Sequence, residues 1–378
     1  SATEAISLAI ARSPMDLISS HPLWLELDGA REKYPVLRTD ARADVAVIGG
    51  GVTGALVAHA LTGAELDTIV LDKRDVGTGS TAASTALLQY ELDVPLVELR
   101  ERIGRDRADR AYLACRDAIG KLATLAASLR AGTGFRARES LYLVARERDL
   151  DAHRAELAAR REIGLGGEWL DRGELRRRFG IERPGAIHSL GAAEVDAYAL
   201  THALFVDTQG RGLRVFARTR VANVAASDDG VTLHLADGGE VRASHAVFAT
   251  GYETRDFVGV GPAKLVSTFA IASATSAVPA PWRETNALIW ERADPYLYLR
   301  TTSDGRVVVG GEDEAFRDPD HRDALLGAKA GRLAERYREL FPRATLEVDF
   351  AWAGTFGETA DGLPYVGAHR DWPCCEFA

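Results

Sequence analysis

One short segment limits the possible folds of this chain more than any other feature. Residues 45–64 contain no Asp, Glu, Lys or Arg, and an apolar run there is followed by three consecutive glycines and a second apolar run. The hexapeptide at 49–54, GGGVTG, fits the pattern G-x-G-x-x-G. Glycines at these positions permit a tight turn and a close approach of the backbone to a pyrophosphate. The segment therefore predicts a buried strand, a turn, and a helix whose free N–H groups point at a phosphate.

Twenty uncharged residues are also about long enough to cross a bilayer, which is the alternative interpretation of this segment. The glycines in its middle count against a membrane-spanning helix. A second β-rich run, residues 67–71, ends at Asp72, 18 residues beyond Gly54. An acid at this place accepts hydrogen bonds from the ribose of a bound dinucleotide. The two runs together favour a βαβ unit over a membrane span.

The residues after Asp72 bear on which dinucleotide is bound. Lys73 and Arg74 lead into a loop of small residues that contains Gly79, Ser80 and Thr81. A nicotinamide-dependent dehydrogenase of the simple doubly wound type would continue here with helix, strand and helix. A second loop rich in glycine and hydroxyl groups favours a longer cofactor that extends past its pyrophosphate. An NAD-dependent dehydrogenase stays as an alternative that this loop disfavours.

Composition indicates the class of ligand and the redox environment of the chain. With 378 residues, 46% hydrophobic and 27% charged, the chain can bury a large core and is neither disordered nor fibrous. Its net charge of −9 argues against a nucleic acid or an anionic membrane as partner and favours small molecules. The three cysteines and nine histidines lack metal-ligand spacing, so we expect no metal site and a reduced, cytoplasmic setting. Residues 1–15 have the features of neither a signal peptide nor an anchor.

Four segments share a resemblance to one family. They are residues 45–54, residues 71–73 with 79–81, residues 247–251 (VFATG) and residues 359–367 (TADGLPYVG). In this order they resemble the FAD-dependent D-amino-acid oxidase family, which includes glycine and sarcosine oxidases and D-amino-acid dehydrogenases. The resemblance implies an α/β fold: an FAD-binding doubly wound domain, Rossmann-like and of the glutathione-reductase type, interleaved with an α+β substrate domain on a mainly antiparallel sheet.

The resemblance also implies domain bounds and cofactor-binding residues. The FAD domain would take residues 30–93, 185–258 and 345–378, the substrate domain residues 94–184 and 259–344, and residues 1–29 would form an N-terminal extension. Val221 would contact the adenine through its backbone, and residues 249–251 would pass beneath the phosphates. The residues expected to bind FAD are Gly49, Gly51, Val52, Thr53, Gly54, Asp72, Lys73, Gly79, Ser80, Thr81, Ser84, Leu88, Val221, Thr250, Gly251, Gly357 and Asp361.

The expected reaction needs few protein groups. The resemblance implies oxidation of the C–N bond of a small amino acid or amine by hydride transfer to flavin N5, followed by hydrolysis of the imine. A two-residue strand period places Tyr296, Tyr298 and Arg300 on one face. A guanidinium can grip a carboxylate in a bidentate way, so Arg300 is the candidate for a substrate carboxylate, and both tyrosines are candidates for the pocket wall.

Several properties stay open at this point. The electron acceptor can be oxygen, a quinone or another carrier, and the oligomeric state and the particular substrate are not specified. A flavin-binding protein without activity, serving as an assembly or interaction factor, is the alternative of a different class. Family members continue past the position of Ala378 with a strand and a long helix that faces the flavin. The chain has then either lost this segment or dispensed with it; we expect a loss, because a chain that ends inside an apolar strand would leave a sheet edge uncovered, and a lower FAD occupancy is expected in either case.

Overall fold

The structure is a computed structural model that describes residues 6–9, 16–27, 32–258, 263–275 and 277–378. The proposed N-terminal extension at 1–29, and the domain boundaries drawn at 29/30 and 258/259, therefore fall partly outside the described residues. No helix among the described residues is long and apolar enough to cross a membrane. The thiols of Cys115, Cys374 and Cys375 are free.

Strands and helices are numbered in chain order. The strands are β1 Ile6–Ala9, β2 Ile18–Ser20, β3 Ala41–Ile48, β4 Thr68–Leu71, β5 Leu87–Leu88, β6 Arg136–Leu143, β7 Glu168–Asp171, β8 Gly185–Glu194, β9 Arg214–Phe216, β10 Val221–Ser227, β11 Gly230–Leu235, β12 Glu240–Phe248, β13 Lys264–Ser273, β14 Leu288–Glu291, β15 Leu297–Thr301, β16 Val307–Ala315, β17 Val348–Glu358, β18 Gly367–Ala368 and β19 Cys375–Phe377. The helices are α1 Leu23–Leu27, α2 Val52–Gly63, α3 Ser80–Ala83, α4 Leu96–Ile103, α5 Arg105–Ser128, α6 Leu150–Glu162, α7 Arg172–Phe179, α8 Ala197–Gln209, α9 Arg255–Val258, α10 Ala280–Thr285 and α11 Pro319–Leu340. Short 3₁₀ helices cover Glu147–Asp149 and Gly251–Thr254.

A nine-stranded sheet contains the glycine turn. Its strand order is β1-β10-β11-β12-β3-β4-β9, and β19 adds to β12. The strands β12, β3, β4 and β9 run parallel to one another. On its other side β12 pairs with β11, and β10, β11 and β12 form an antiparallel meander. The apolar end of β3 and all of β4 are buried, as expected for strands covered on both faces. The βαβ unit predicted at residues 45–72 is confirmed.

A ten-stranded sheet forms the second layer. Its order is β2-β17-β13-β16-β15-β14-β6-β8-β5, with β7 paired to β8. Its pairs are antiparallel except for β14 with β6, as predicted for a mainly antiparallel sheet. Leu297 and Leu299 of β15 lie in its largest core cluster, together with residues of α11. The opposite face of β15 is left for other contacts.

The division into domains stays a prediction, but strand pairing shows where its segments lie. The strands β8 and β17 belong to the ten-stranded sheet, although the expected bounds place residues 185–258 and 345–378 in the FAD domain. Part of the proposed extension is integrated as well, because β2 pairs with β17 and Trp24 of α1 is buried. An apolar pattern shows that a strand is buried, but it does not show which sheet the strand joins.

Candidate functional site

A large cleft runs along both sheets and has a volume of about 1620 Å³. Sites for one small molecule usually measure about 300–1,000 Å³, so this cleft has room for an extended cofactor together with a second ligand. One end is lined by the glycine turn at residues 49–53 and by residues 72–81, and the other end by residues of β13, β15, β16 and β17. The two ends are described in turn.

The glycine turn is shaped as a cradle. Gly49 has φ +112°, and a Cβ added there would overlap the carbonyl oxygen of Ala249 at the end of β12. A Cβ on Gly54 would overlap the carbonyl oxygen of Gly49, so both positions require glycine. The helix α2 begins at Val52 with Gly51 as N-cap and without a capping side chain on that residue. A helix N-terminus that opens into a cleft suits a pyrophosphate, so this end fits the phosphates of FAD.

Thr81 and Asp72 brace the cradle from neighbouring segments. The Val52 N–H donates to Thr81 Oγ1 at 3.0 Å. The Asp72 carboxylate accepts from the Gly50 N–H at 2.6 Å and from the Arg74 N–H at 2.7 Å. Burial raises the pKa of Asp72, and these two hydrogen bonds oppose that rise. Asp72 thus holds the turn in place, and its contact with a ribose stays a prediction.

A buried carboxylate beyond Asp72 engages two basic residues of the cofactor end. Glu253 accepts from Lys73 Nζ at 2.7 Å and from both terminal nitrogens of Arg74 at 3.2 and 2.9 Å. Its side chain is 9% exposed. The sequence pattern singled out Lys73 but gave no sign of Glu253, which lies about 180 residues further along the chain. The charge of Lys73 therefore belongs to an ion-pair cluster at the rim of the cleft.

The backbone at 83–86 forms part of the cleft wall and is held by three side chains. Trp352 Nε1 donates to the Ala83 carbonyl at 2.9 Å, and Trp24 Nε1 donates to the Ser84 carbonyl at 2.6 Å. Arg300 Nη1 donates to the carbonyls of Thr85 and Ala86, both at 3.0 Å. Four consecutive carbonyls are thus bound by side chains from three separate elements, which we name the pinned segment, residues 83–86.

This arrangement corrects the role expected of Arg300. Its side chain is 3% exposed and does not line the cleft. Besides the pinned segment, it donates to the Val195 carbonyl at 2.9 Å, pairs with Glu194 at 3.4 Å and lies over the Trp24 ring. Burial lowers its pKa, and Glu194 opposes that change. A guanidinium engaged in this way does not fit the grip on a substrate carboxylate, because the strand period predicts a face but not what covers it.

Tyr296 and Tyr298 do line the cleft, as predicted for the pocket wall. Their ring centroids are 5.9 Å apart, and the Tyr296 hydroxyl donates to Asp93 Oδ1 at 3.2 Å. Burial raises the pKa of Tyr298 to about 12 and that of Tyr296 well above its ordinary value. Both hydroxyls therefore stay protonated at neutral pH. We name this end of the cleft the tyrosine chamber, formed by Asp93, Thr268, Tyr296, Tyr298, Asp313 and Glu358.

The cofactor residues expected from the resemblance fall into two groups. Those that line the cleft are Gly49, Gly51, Val52, Thr53, Asp72, Lys73, Gly79, Ser80, Thr81, Ser84, Val221, Thr250, Gly251 and Gly357. Gly54, Leu88 and Asp361 do not line it. Gly54 lies against the turn, Leu88 packs on the core beside α8, and Asp361 Oδ1 accepts from the Leu363 N–H at 3.1 Å to shape its own loop. That any of these residues contacts FAD stays a prediction.

The sequence patterns did not predict the acids of the tyrosine chamber. Asp93, Asp313 and Glu358 come from a loop and from two strands of the ten-stranded sheet, and no local pattern connects them. Asp313 lies two residues after a glycine pair in β16, and no motif in the sequence marks it as a site residue. Among the described residues, no three His, Cys, Asp or Glu side chains are arranged to hold a metal.

Comparisons with known proteins agree with this geometry. A sequence model of the family described as DAO, FAD dependent oxidoreductase, matches residues 44–376. Glycine oxidase of Geobacillus kaustophilus (strain HTA426) is 26% identical over 345 residues, which cover 87% of this chain and 85% of that protein. The solved structure of glycine oxidase from Geobacillus kaustophilus has a TM-score of 0.73 at 22% identity and covers 89% of each chain.

A more distant structure bears on the cofactor. L-α-glycerophosphate oxidase from Mycoplasma pneumoniae, solved with FAD bound, has a TM-score of 0.73 at 12% identity, covering 89% of this chain and 88% of that one. These structural likenesses show a shared fold, and they confirm the fold class expected from the sequence.

Proposed function

We propose, on the premise that this chain belongs to the FAD dependent oxidoreductase family, that it oxidises the C–N bond of a small amine or amino acid. The family makes the chain an FAD-dependent oxidoreductase, and the cofactor predicted from the sequence is thereby confirmed. The choice of bond is our proposal. It is supported by the similarity to glycine oxidase over most of both chains and by the tyrosine chamber.

The observation that carries the proposal is the continuity of one cleft. The glycine cradle, the pinned segment and the tyrosine chamber all line the same space. A cofactor whose phosphates lie at the cradle can therefore extend along the pinned segment toward the chamber. The chain's own residues would bind the pyrophosphate at α2 and wall the reacting end with Tyr296 and Tyr298.

In this reaction the protein mainly positions the substrate against the cofactor and excludes water from the reacting atoms. Oxidation removes two electrons and two protons from the H–C–N–H unit and leaves an imine; water then adds, and ammonia leaves if the amine was primary. FAD, when bound, supplies the two-electron acceptor and is restored by oxygen or another carrier. The tyrosine hydroxyls stay protonated, so they donate hydrogen bonds and do not act as bases. The aromatic wall excludes bulk water from the reacting carbon.

A second candidate reaction is oxidation of a C–O bond. The glycerophosphate oxidase named above shares this fold at similar TM-score, and a fold does not select the bond. Among the described residues, the arginines near the chamber, Arg102 and Arg292, are paired with Glu98, and this favours the C–N bond over a phosphate-bearing alcohol.

Anaerobic reduction of the bound flavin tests the proposal. The FAD-loaded protein would be mixed with matched pairs that differ only in nitrogen or oxygen: ethylamine and ethanol, glycine and glycolate, 2-aminoethyl phosphate and 2-hydroxyethyl phosphate. We expect the visible flavin absorbance to bleach with a nitrogen-containing member. Bleaching by oxygen compounds alone would replace the proposal with C–O oxidation. No bleaching by any compound, with FAD bound, would favour the flavin-binding protein without activity.

A further inference from the structure

We infer that the substrate is a small amine with no carboxylate next to its reacting carbon, and that a second positively charged nitrogen, as in an aliphatic diamine, improves it. The inference rests on the proposed C–N oxidation and names its substrate class. It follows from the charges that the chain places around the tyrosine chamber.

The chamber presents three carboxylates to one space. Asp93, Asp313 and Glu358 all line the cleft. Asp93 and Glu358 are exposed to the cleft, while Asp313 is half-buried. The charge of Glu358 helps to raise the pKa of both aspartates, and Asp93 acts likewise on Asp313. Three carboxylates that repel one another are stabilised by a cation between them.

Asp313 has a carboxylate oxygen that lacks a hydrogen-bond donor. Its Oδ1 atom is shielded from solvent and has no hydrogen-bond partner. A hydrogen bond with the Thr268 side chain lowers the pKa of Asp313 less than burial raises it. The nearest cation, Lys329 of α11, is engaged by Glu314 at 3.1 Å and lies 3.9 Å from Glu312. A buried acceptor oxygen without a donor is unfavourable, and a ligand ammonium in the chamber would supply that donor.

The positive charges along the described cleft walls are paired with acids or lie at the cofactor end, although the charge of Arg292 also lowers the pKa of Asp93. Arg102 and Arg292, which border the chamber, both pair with Glu98, and Arg292 does so with two nitrogens. Lys73 and Arg74 bind Glu253 at the cofactor end. Arg220 and Arg255 adjoin Val221 and Glu253 in the chain, also at the cofactor end. Lys264 faces Glu358 across the β13–β17 pair but does not line the cleft.

The aromatic wall suits the same ligand. Tyr296 and Tyr298 present ring surfaces to the cleft, and ring faces attract ammonium groups. A carboxylate next to the reacting carbon would face Asp93, Asp313 and Glu358 without a free guanidinium, because Arg300 is enclosed at the pinned segment. This is where the chain departs from what the name of its glycine oxidase relative would suggest.

The test is a series of four-carbon compounds with a common reacting end. The FAD-loaded protein would be reduced anaerobically at pH 8 by 1,4-diaminobutane, n-butylamine and 4-aminobutanoate, whose far ends are an ammonium, a methyl and a carboxylate. Ethylamine and glycine form a second pair that differs only in the carboxylate next to the reacting carbon. Rates of flavin bleaching give kcat/KM for each compound.

We expect 1,4-diaminobutane to be oxidised faster than n-butylamine, n-butylamine faster than 4-aminobutanoate, and ethylamine faster than glycine. One charge-assisted hydrogen bond changes kcat/KM by about 10- to 100-fold, which is the expected advantage of the diamine over the monoamine. If glycine reacts faster than ethylamine, or 4-aminobutanoate faster than n-butylamine, the inference is overturned while C–N oxidation stands. Failure of all nitrogen compounds overturns both.

Variants locate the effect in the chamber. Asp313→Asn should lower kcat/KM for 1,4-diaminobutane by about 10-fold or more, and that for n-butylamine by less. Asp237→Asn is the matched control, because Asp237 is exposed in the turn between β11 and β12 and does not line the cleft. It should leave the preference unchanged.

A readout independent of turnover uses thermal unfolding of the FAD-loaded protein. We expect 1,4-diaminobutane to raise the Tm of the native sequence and of Asp237→Asn under anaerobic conditions, and not that of Asp313→Asn. Equal shifts in all three proteins, or a larger shift with succinate than with the diamine, would overturn the assignment of the cation to this chamber.

Discussion

Gly49 shows how closely the cofactor turn packs at the level of a single residue. Its φ of +112° and the contact of a Cβ with the Ala249 carbonyl both exclude a side chain. Gly49→Ala should lower the free energy of unfolding by about 2–4 kcal/mol, since strain and overpacking add, and should weaken FAD retention. Urea unfolding and the ratio of flavin to protein absorbance measure both effects.

The control for this substitution is Gly120→Ala. Gly120 lies in α5, is exposed, and has no atom within 4 Å of an added Cβ. In a helix interior, alanine is favoured over glycine by up to about 1 kcal/mol, so stability should rise slightly and FAD retention should not change. An unaltered urea midpoint and normal flavin content in Gly49→Ala would contradict the tight packing of the turn.

Asp313 predicts a dependence of stability on pH. Burial, together with Asp93 and Glu358, raises its pKa to about 6 from an ordinary 3.8, against the opposing charge of Lys329. The folded protein thus holds this proton more tightly than the unfolded chain, so stability falls as pH rises from about 4 to about 6. Asp313→Asn should remove this loss and be more stable at pH 8 by up to about 3 kcal/mol.

Urea unfolding of Asp313→Asn and the native sequence at pH 4.5 and pH 8 checks this expectation. Glu314 is the control of opposite sign, because its hydrogen bond with Lys329 lowers its pKa. Glu314 therefore adds stability above its ordinary pKa, and Glu314→Gln should be the less stable protein at pH 8. If Asp313→Asn is no more stable than the native sequence at pH 8, the ionised Asp313 carboxylate does not destabilise the folded protein, and the expectation is wrong.

The pinned segment is the informative feature at the level of elements. The strand β15 supplies Arg300, β17 supplies Trp352 and α1 supplies Trp24, and together they bind the carbonyls of residues 83–86. Donors from the ten-stranded sheet thus fix a backbone segment that follows the short helix α3 of the cofactor end. This explains why an arginine is buried where a substrate-binding role was expected.

Arg300→Ala tests the positioning role of this side chain. Removing it takes one donor from the carbonyls of Thr85, Ala86 and Val195 and leaves Glu194 with one partner fewer. The loss of a buried charged partner costs about 3–5 kcal/mol, and FAD retention should fall with it. Trp352→Phe removes one donor only and should cost about 1–2 kcal/mol.

The two roles of Arg300 are separated by comparing stability with KM. A positioning residue changes the urea midpoint and the flavin content, and the KM of FAD-loaded protein changes little. An arginine that grips a substrate carboxylate would raise KM and leave the urea midpoint almost unchanged. The second pattern in Arg300→Ala would refute the correction made above.

At the level of the whole molecule, residues of both sheets line one cleft, and we expect FAD to bind there. A ligand that binds only the folded state stabilises it by about 2.7 kcal/mol when its free concentration is 100 times its Kd. We expect FAD at this ratio to raise the free energy of unfolding of the FAD-free protein by that amount. NAD at the same concentration should leave it unchanged. Equal stabilisation by NAD would restore the simple nicotinamide dehydrogenase as the better interpretation.

Much of the cofactor end could be predicted because its contacts are local in the chain. The strand β3, the turn at 49–51 and α2 are consecutive, and Asp72 ends the next strand. Glycine spacing and apolar runs report such contacts directly, since a residue without a Cβ is needed wherever backbone meets backbone. The cap of α8 is also a local contact, because the Asp196 carboxylate accepts from the Ala199 N–H at 2.8 Å.

The features of the substrate end could not be predicted from the sequence, because they depend on tertiary contacts. Tyr298 and Arg300 share a face of β15, yet one lines the cleft and the other lies beneath the pinned segment, more than 200 residues away in sequence. Asp93 is separated from Asp313 and from Glu358 by similar distances in sequence, yet all three line the same cleft. A strand period assigns side chains to a face, but burial and charge at each position depend on what distant elements place over that face. The motifs in the chain therefore predicted the cofactor and the glycine turn, whereas the packing of the two sheets set the charge of the chamber where we propose that substrate binds.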